Sequence, residues 1–488
     1  MMLIIITACQ KDQKLINVRN ASLSRTQQDR QFLIIAREGV KLEAISESLS
    51  QLGVKKFKLK EAIQELGLIR VQTPDPSFPE KARKIADVQS VVVDVHMNFR
   101  LPTKEFRSDL TYKGSTQAAA NAKASAAAVA SNPYSFLQWG LKSVKAPQAW
   151  QKGYKGKGAK VAVLDGGFLL NEPDIAPNII LTQSFVEGEE VQYHGAAGFS
   201  HGSHVAGTIA ALDDAYGVVG VAPEAKLILV KVLGDGGSGS FGSIIDGIFY
   251  ATNHGANVIN MSLGGELPRK TYTDDNGTPD DPSDDYIVEY NRDVKELITA
   301  INRATLFATL KGTTVVAAAG NDGYNYDQEK RFITYPAAAL GVLSISSNGP
   351  LGWGINQDTT LYVPSIFTNY GKNFISYGAP GGNYAIPINT TVVNVGGIIN
   401  YEYVFDFVFN IGYWDEASNT YYYGWAAGTS MAAPHASAVI ALLYGKYPKI
   451  NPLLVDLILR QSSTDYGAHG KDAYFGNGEV NAGKAVGF

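Results

Sequence analysis

The sequence predicts an α/β protein: a mostly parallel sheet with helices on both faces, preceded by a small α+β unit. From Tyr134 onward, short runs of Val, Ile, Leu and Ala alternate with helix-like stretches and Gly-rich turns. That is the pattern of strands buried on both faces and joined by crossover helices. Ahead of it, residues 31–99 carry strand and helix signals in the order β-α-β-β-α-β, the split βαβ or ferredoxin-like arrangement. Between the two, residues 115–132 (STQAAANAKASAAAVASN) are small and nearly featureless. Such a stretch is a linker or a marginal Ala-rich helix, and its place between two units favours the linker.

The elements follow in order. Residues 1–9 read MMLIIITAC; the apolar run is far too short to span a bilayer, which takes about 20 residues. It fits a short signal h-region ending in small residues. Ile6-Thr7-Ala8-Cys9 resembles the lipobox of bacterial lipoproteins, which implies export and lipidation of Cys9. No basic residue precedes the run and Ile stands where Leu is usual, so an ordinary N-terminus with a chance Cys is the alternative. In the small unit, Gln31–Arg37 reads as a strand, and Leu42, Ile45, Leu49 and Leu52 have helical spacing. Strands are expected at Lys55–Leu59 and Leu68–Val71, a helix after Pro79, and a closing strand at Val91–Val95. In the main body, Asp-rich 274–285 and aromatic-rich 399–425 read as insertions.

Composition narrows the function classes. The chain has 488 residues, 45% hydrophobic and 18% charged, with one Cys, which excludes intramolecular disulfides and a Cys-based zinc site. A net charge of −4 gives no electrostatic reason to expect a nucleic-acid partner. That charge is unevenly spread: residues 11–113 hold 19 Lys and Arg against 13 Asp and Glu, and the rest holds 23 against 33. A basic front piece and an acidic body attract each other.

Three segments carry chemistry. KVAVLDGG (160–167) is a buried-strand run ending in Asp165, at the sheet edge where ligand chemistry gathers in open α/β folds. Alone, such an Asp more often positions a turn. HGSHVAGTIAAL (201–212) puts His201 at the start of a helix, where neutral imidazole can take a proton if a carboxylate fixes its tautomer; capping is the blander reading, and His204 reads as structural. GTSMAAPHASAVIALLY (428–444) puts Ser430 at the start of a helix apolar nearly all round, with the positive end of the helix dipole beside its hydroxyl. Pro434 is expected to fall in the first turn, where proline is tolerated. Thr429 or Ser430 acting as a simple N-cap is the alternative.

Taken together, these segments have the Asp, His, Ser chain order of the subtilisin template. Residues 134–488 closely resemble the subtilisin-like serine proteases (subtilases) in HGSHVAGTIAA, GTSMAAPH and VAVLD. WGLKSVKAPQAW (139–150), VINMSLGG (258–265), VVAAAGN (315–321), TNYG (368–371) and APG (379–381) extend the match. The resemblance implies Ser430 as nucleophile, His201 as general base and then acid, Asp165 as the residue that orients it, and Asn321 as an oxyanion donor. It implies that Ser262, Leu263 and Gly264 pair with an extended substrate backbone, and that Ala318, Ala319 and Gly320 line part of the specificity pocket. Gly166 stands where the family has Ser or Thr, which is expected to loosen the Asp–His hydrogen bond; Ser203 replaces Thr.

The same resemblance implies a structural calcium ion held by Asp174, Asp214 and the carbonyls of Leu212, Tyr216 and Val218. The family's Gln ligand has no clear counterpart, and a solvated acidic turn is the alternative. Residues 31–99 resemble the family's propeptide, an inhibitor of its own catalytic domain. The expected order is a signal segment (1–9), propeptide (31–99), linker with self-cleavage (100–133) and catalytic domain (134–488). The expected product is a monomeric, exported serine endopeptidase acting on protein or peptide substrates, secreted or held by a lipid anchor. A peptide-binding pseudoprotease and a dedicated leader-peptide protease are the alternatives. The 273–285 stretch is either a solvated loop or a second calcium site, and beside the cleft it would favour basic peptides. Residues 399–425 are expected to form a hairpin packing its aromatics near Ser430.

Overall fold

The computed structural model describes residues 30–99, 104–111, 130–195, 198–274, 283 and 285–488. Cys9 and most of the Asp-rich stretch lie outside them.

The N-terminal unit contains β1 (Arg30–Ala36), α1 (Leu42–Ser50), β2 (Lys58–Ile63), β3 (Leu68–Thr73), α2 (Phe78–Ala82) and β4 (Val88–Val93). Its antiparallel sheet has the order β2-β3-β1-β4, as the ferredoxin-like reading requires. The second strand starts three residues later than expected, because Lys55 and Lys56 form a turn in which Lys56 has φ 45°. One sheet face is covered by α1 and α2 through Phe32, Ile34, Leu42, Ile45, Leu49 and Phe78. The other face, with Leu33, Ile35, Leu68 and Val92, joins the core of the main body.

The main body is built on an eight-stranded sheet. Its parallel strands are β7 (Lys160–Asp165), β8 (Ile179–Ser184), β9 (Lys226–Lys231), β11 (Val258–Met261), β13 (Thr314–Ala318), β15 (Val342–Gly349) and β17 (Tyr377–Pro380). The short β16 (Val363–Pro364) is antiparallel to β15. Successive residues of β7 serve opposite cores: Val161 and Val163 face α3 (His201–Ala210) and α6 (Thr429–Lys446). Ala162 and Leu164 face α4 (Phe241–Asn253) and α5 (Arg292–Leu310). This two-sided burial is why the strands read as unbroken apolar runs.

The N-terminal unit sits on α4 and α5. Arg70 forms a buried 2.6 Å ion pair with Asp246 of α4. Asp94 accepts the Ser240 hydroxyl (2.8 Å) and the Gly242 N–H (2.9 Å) at the N-terminus of that helix. Lys60–Glu187 and Arg83–Asp293 add ion pairs at 3.0 and 3.4 Å. The basic front piece therefore meets the acidic body through charge pairs.

Two short strands leave that unit. β5 (His96–Asn98) pairs antiparallel with β10 (Ser238–Ser240) of the main body. β6 (Lys104–Thr111) lies inside the stretch read as linker, yet it is the third strand of a sheet with β18 (Val408–Asp415) and β19 (Thr420–Ala427). The aromatic insertion does form a hairpin, β18–β19, and β19 leads directly into Gly428, Thr429 and Ser430. β6 was illegible in sequence because its pairing is long-range, about three hundred residues away in the chain.

Candidate active site

Asp165 ends β7 at the C-terminal edge of the sheet and is wholly buried. His201 starts α3, whose cap Ser200 accepts the Ser203 N–H. His201 Nδ1 lies 2.8 Å from Asp165 Oδ1 and 3.0 Å from Oδ2. An ionised carboxylate only accepts, so Nδ1 carries the proton and Nε2 is left with its lone pair. Among the described residues, Nε2 is buried with no hydrogen-bond partner. The Gly166 N–H donates to Asp165 Oδ1 at 2.7 Å, so the carboxylate is anchored by backbone and the side chain absent at 166 has not opened the Asp–His contact. Ser203 keeps the hydroxyl, which accepts the Leu169 N–H at 2.7 Å. His204, buried and bonded to Val408 O, is pushed down to about 3 by desolvation and stays neutral.

Ser430 is the second residue of α6 and is buried. Its Oγ donates to Ser262 O at 3.0 Å rather than to His201. Pro434 lies in the second turn of α6, not the first. It lacks the N–H that would bond the Ser430 carbonyl, and the Ser262 hydroxyl serves that oxygen instead, at 2.8 Å.

An open cleft lies beside Ser430, lined by Leu263, Gly264, Ala318, Gly320 and Asn321 among others. Asn321 Oδ1 accepts both the N–H and the hydroxyl of Thr429, at 2.8 and 2.9 Å. Its amide NH2 is thereby turned away from Thr429, on a residue that lines the cleft. Ser262 sits behind Ser430 and anchors it. Ala319 is directed elsewhere: its N–H donates to Ile345 O and its side chain belongs to the core over α4 and α5.

The expected calcium ligands gather at the end of α3. The Leu212, Tyr216 and Val218 carbonyls converge on the side-chain amide of Asn132, at 2.9 Å for Leu212 and 2.8 Å for Val218. Asp174 accepts the Val218 N–H and the Tyr423 hydroxyl on Oδ2. Asp174 Oδ1 and Asn132 Oδ1 are buried without a hydrogen-bond partner among the described residues. Orphaned oxygens and converging carbonyls are the donor chemistry that calcium takes, and turning the Asn132 amide over presents a further oxygen. Asp214 accepts the Tyr216 N–H across the turn. Among the described residues no three His, Cys, Asp or Glu side chains gather around one point, so carbonyls dominate this set. Asn132 is the residue that sequence reasoning missed; the only signal was an amide at the end of the Ala-rich stretch, just before Pro133.

Comparison with known proteins gives this architecture its class. The subtilase family model matches residues 156–478. Subtilisin DY of Bacillus licheniformis is 31% identical over 345 residues, covering 71% of this chain and 97% of that one. A lanthipeptide protease of known structure aligns with TM-score 0.55 and 25% identity, covering 72% of this chain and 93% of its own. The epidermin leader peptide processing serine protease of Staphylococcus aureus shares the fold at TM-score 0.66 and 20% identity, covering 94% and 98%. The chain belongs to the subtilase family. It is a subtilisin-like serine protease, acting on protein or peptide substrates.

Proposed function

We propose that the chain is an endopeptidase working through Asp165, His201 and Ser430, made as a zymogen that cuts itself. The observation that carries this reading is His201: its Nδ1 is held by Asp165 while its Nε2 is buried with an unused lone pair. Ser430 Oγ, once rotated toward Nε2, gives up its proton and attacks the substrate carbonyl. Asp165 stabilises the imidazolium, and His201 then passes the proton to the leaving amine. The Asn321 amide and the Ser430 N–H at the start of α6 stabilise the oxyanion. Residues 31–99 act as the inhibitor, supported by the buried Arg70–Asp246 pair and by Asp94 at the N-terminus of α4.

Calcium would be held by Asp174, Asn132 and the Leu212, Tyr216 and Val218 carbonyls, with Asp214 at the rim. When bound, it ties residue 132 to the end of α3. We also carry forward export, with Cys9 as the anchor if it is lipidated; labelling with a radioactive fatty acid would show it. A second reading, maturation of one leader peptide, draws on the lanthipeptide protease relative; casein degradation against single-peptide cleavage separates the two. The main test is Ser430→Ala: it should abolish proteolysis, self-cleavage and labelling by a fluorophosphonate. Unchanged activity refutes the assignment.

A further inference from the structure

Lys231 ends β9 in register with Asp165 at the end of β7, and its side chain is wholly buried. The two residues share a sheet face with Val161, Val163, Leu227 and Leu229, which lie in the core under α3 and α6. A buried ammonium has three N–H donors to satisfy, and three oxygens receive this one. They are Glu189 Oε2 at 3.0 Å, Asp235 Oδ1, and the Gly166 carbonyl at 3.2 Å. The two carboxylates are themselves tied down: Glu189 Oε2 also accepts the Asp235 N–H at 2.9 Å, and Asp235 Oδ2 accepts the His194 N–H at 2.8 Å. Charge pairing needs only the carboxylates. The third bond goes to backbone beside the catalytic carboxylate.

That backbone is the loop on which the catalytic pair depends. The Gly166 N–H donates to Asp165 Oδ1 at 2.7 Å, so Gly166 is held at both ends, by the carboxylate through its N–H and by Lys231 through its carbonyl. The next carbonyl, Gly167 O, accepts the Ser200 hydroxyl at 3.0 Å, and Ser200 caps the helix that His201 begins. Gly166 and Gly167 bring no side chain to the loop, and two successive glycines leave its backbone free to take many conformations. Gly167, at φ +114°, has no room for a side chain either: a Cβ would lie 2.8 Å from Lys231 Nζ and 2.9 Å from Asp235 Oδ1. The ammonium fills that space and restrains the loop from beneath.

Resting on the serine-protease reading above, we propose that Lys231 is a positioning residue for catalysis. Held by Glu189 and Asp235, it fixes the Gly166 carbonyl, and through that loop both the Asp165 carboxylate and the cap of the His201 helix. It acts on the reaction only through Asp165 and His201. Without it the two-glycine loop shifts, the Asp165–His201 contact loosens, and the imidazolium formed during turnover is less well stabilised. Substrate binding is left largely as it was, because β9 lies on the far side of β7 from β11 and β13, the strands that lead into the cleft at Leu263, Gly264 and Gly320.

The test uses enzyme from the full chain, with kcat counted per serine labelled by a fluorophosphonate. Lys231→Met/Glu189→Gln removes one cation and one anion together, so the local charge balance is kept. Glu105 of β6 and His204 also act on His201, and both are the same in variant and wild type. On a fluorogenic peptide, kcat should fall by about 10- to 100-fold, the scale of loss that a misplacement of about 1 Å causes, with little change in KM. The acid limb of kcat/KM, which reports the free enzyme's base, should move to lower pH, because a loosened carboxylate favours the imidazolium less. Lys231→Met/Asp235→Asn keeps the same balance and should give the same two results, which carries the test if the first variant does not fold. A merely structural lysine would lower the melting temperature of the variants and leave kcat and the acid limb at their wild-type values; that result overturns the proposal. So does a loss confined to KM, or an acid limb moved to higher pH. Labelling keeps the two levels apart: a labelled, active wild type whose variants match it refutes only the role of Lys231, and an unlabelled, inactive wild type refutes the serine-protease reading with it.

Discussion

Arg70→Met removes the cation of the buried pair between the N-terminal unit and α4, and its effect can be worked from the structure. Arg70 and Asp246 side chains are 9% and 5% exposed and 2.6 Å apart, so solvent does little screening. Removing one member of a buried pair costs about 3–5 kcal/mol, because the other charge stays buried. On the zymogen reading proposed above, and at about 1.4 kcal/mol per decade, the cut N-terminal unit should bind its catalytic body roughly two to nearly four decades more weakly. The effect has a pH signature. Burial pushes Asp246 up to about 7, with Arg70 opposing the rise; without Arg70 the docked carboxyl rises further. Once the unit leaves, that carboxyl faces water and titrates near its ordinary value of about 4. A docked pKa above the free one means that docking takes up a proton, so inhibition is strongest at low pH and is lost as pH rises through the docked pKa. The wild type should level off above about pH 7. The variant should go on weakening toward pH 8, by up to about tenfold per pH unit. The assay is the lag before activity appears when self-cleaved enzyme is diluted at pH 6, 7 and 8. Asp246→Leu should shorten the lag as well, and the double variant should recover much of the loss, a coupling on the order of 1–3 kcal/mol. Equal lags for wild type and Arg70→Met at every pH would refute the reasoning.

Other outcomes follow from the site. Asn321→Ala should lower kcat by about 10²–10³-fold with little change in KM, the size of loss that removing one oxyanion donor causes in subtilisin itself; steady-state kinetics on a fluorogenic peptide reads both. Chelator should lower the melting temperature and speed self-degradation, measured by calorimetry and by gel. Asn132→Ala should reproduce part of that loss in calcium buffer, and a chain indifferent to both would remove calcium from the picture. Each of these leaves the parallel sheet intact, because none of the residues belongs to the two cores over it.

The parallel sheet and the ferredoxin-like unit were legible because their signals are local. The alternation of Val161 and Val163 with Ala162 and Leu164 is buried on both sides, and helical spacing at Leu42, Ile45 and Leu49 survives in α1. The Asp, His and Ser segments were legible for the same reason: each sits at a strand end or helix start whose pattern lies within a dozen residues. Pro434 was placed one turn wrong because sequence does not say which residue starts α6, and the partner that makes it tolerable, Ser262, is 168 residues away.

The sequence by itself determined the order of elements, the two charge-opposed parts and the residue types available for proton transfer. Tertiary structure alone decided that Asn132 meets three carbonyls of the turn after α3, that β6 joins the aromatic hairpin, and that Lys231 meets the Gly166 carbonyl beside Asp165. Local pattern reports what a segment prefers. These contacts join segments roughly sixty to three hundred residues apart, and the cost of closing such loops is repaid only by packing the folded chain provides.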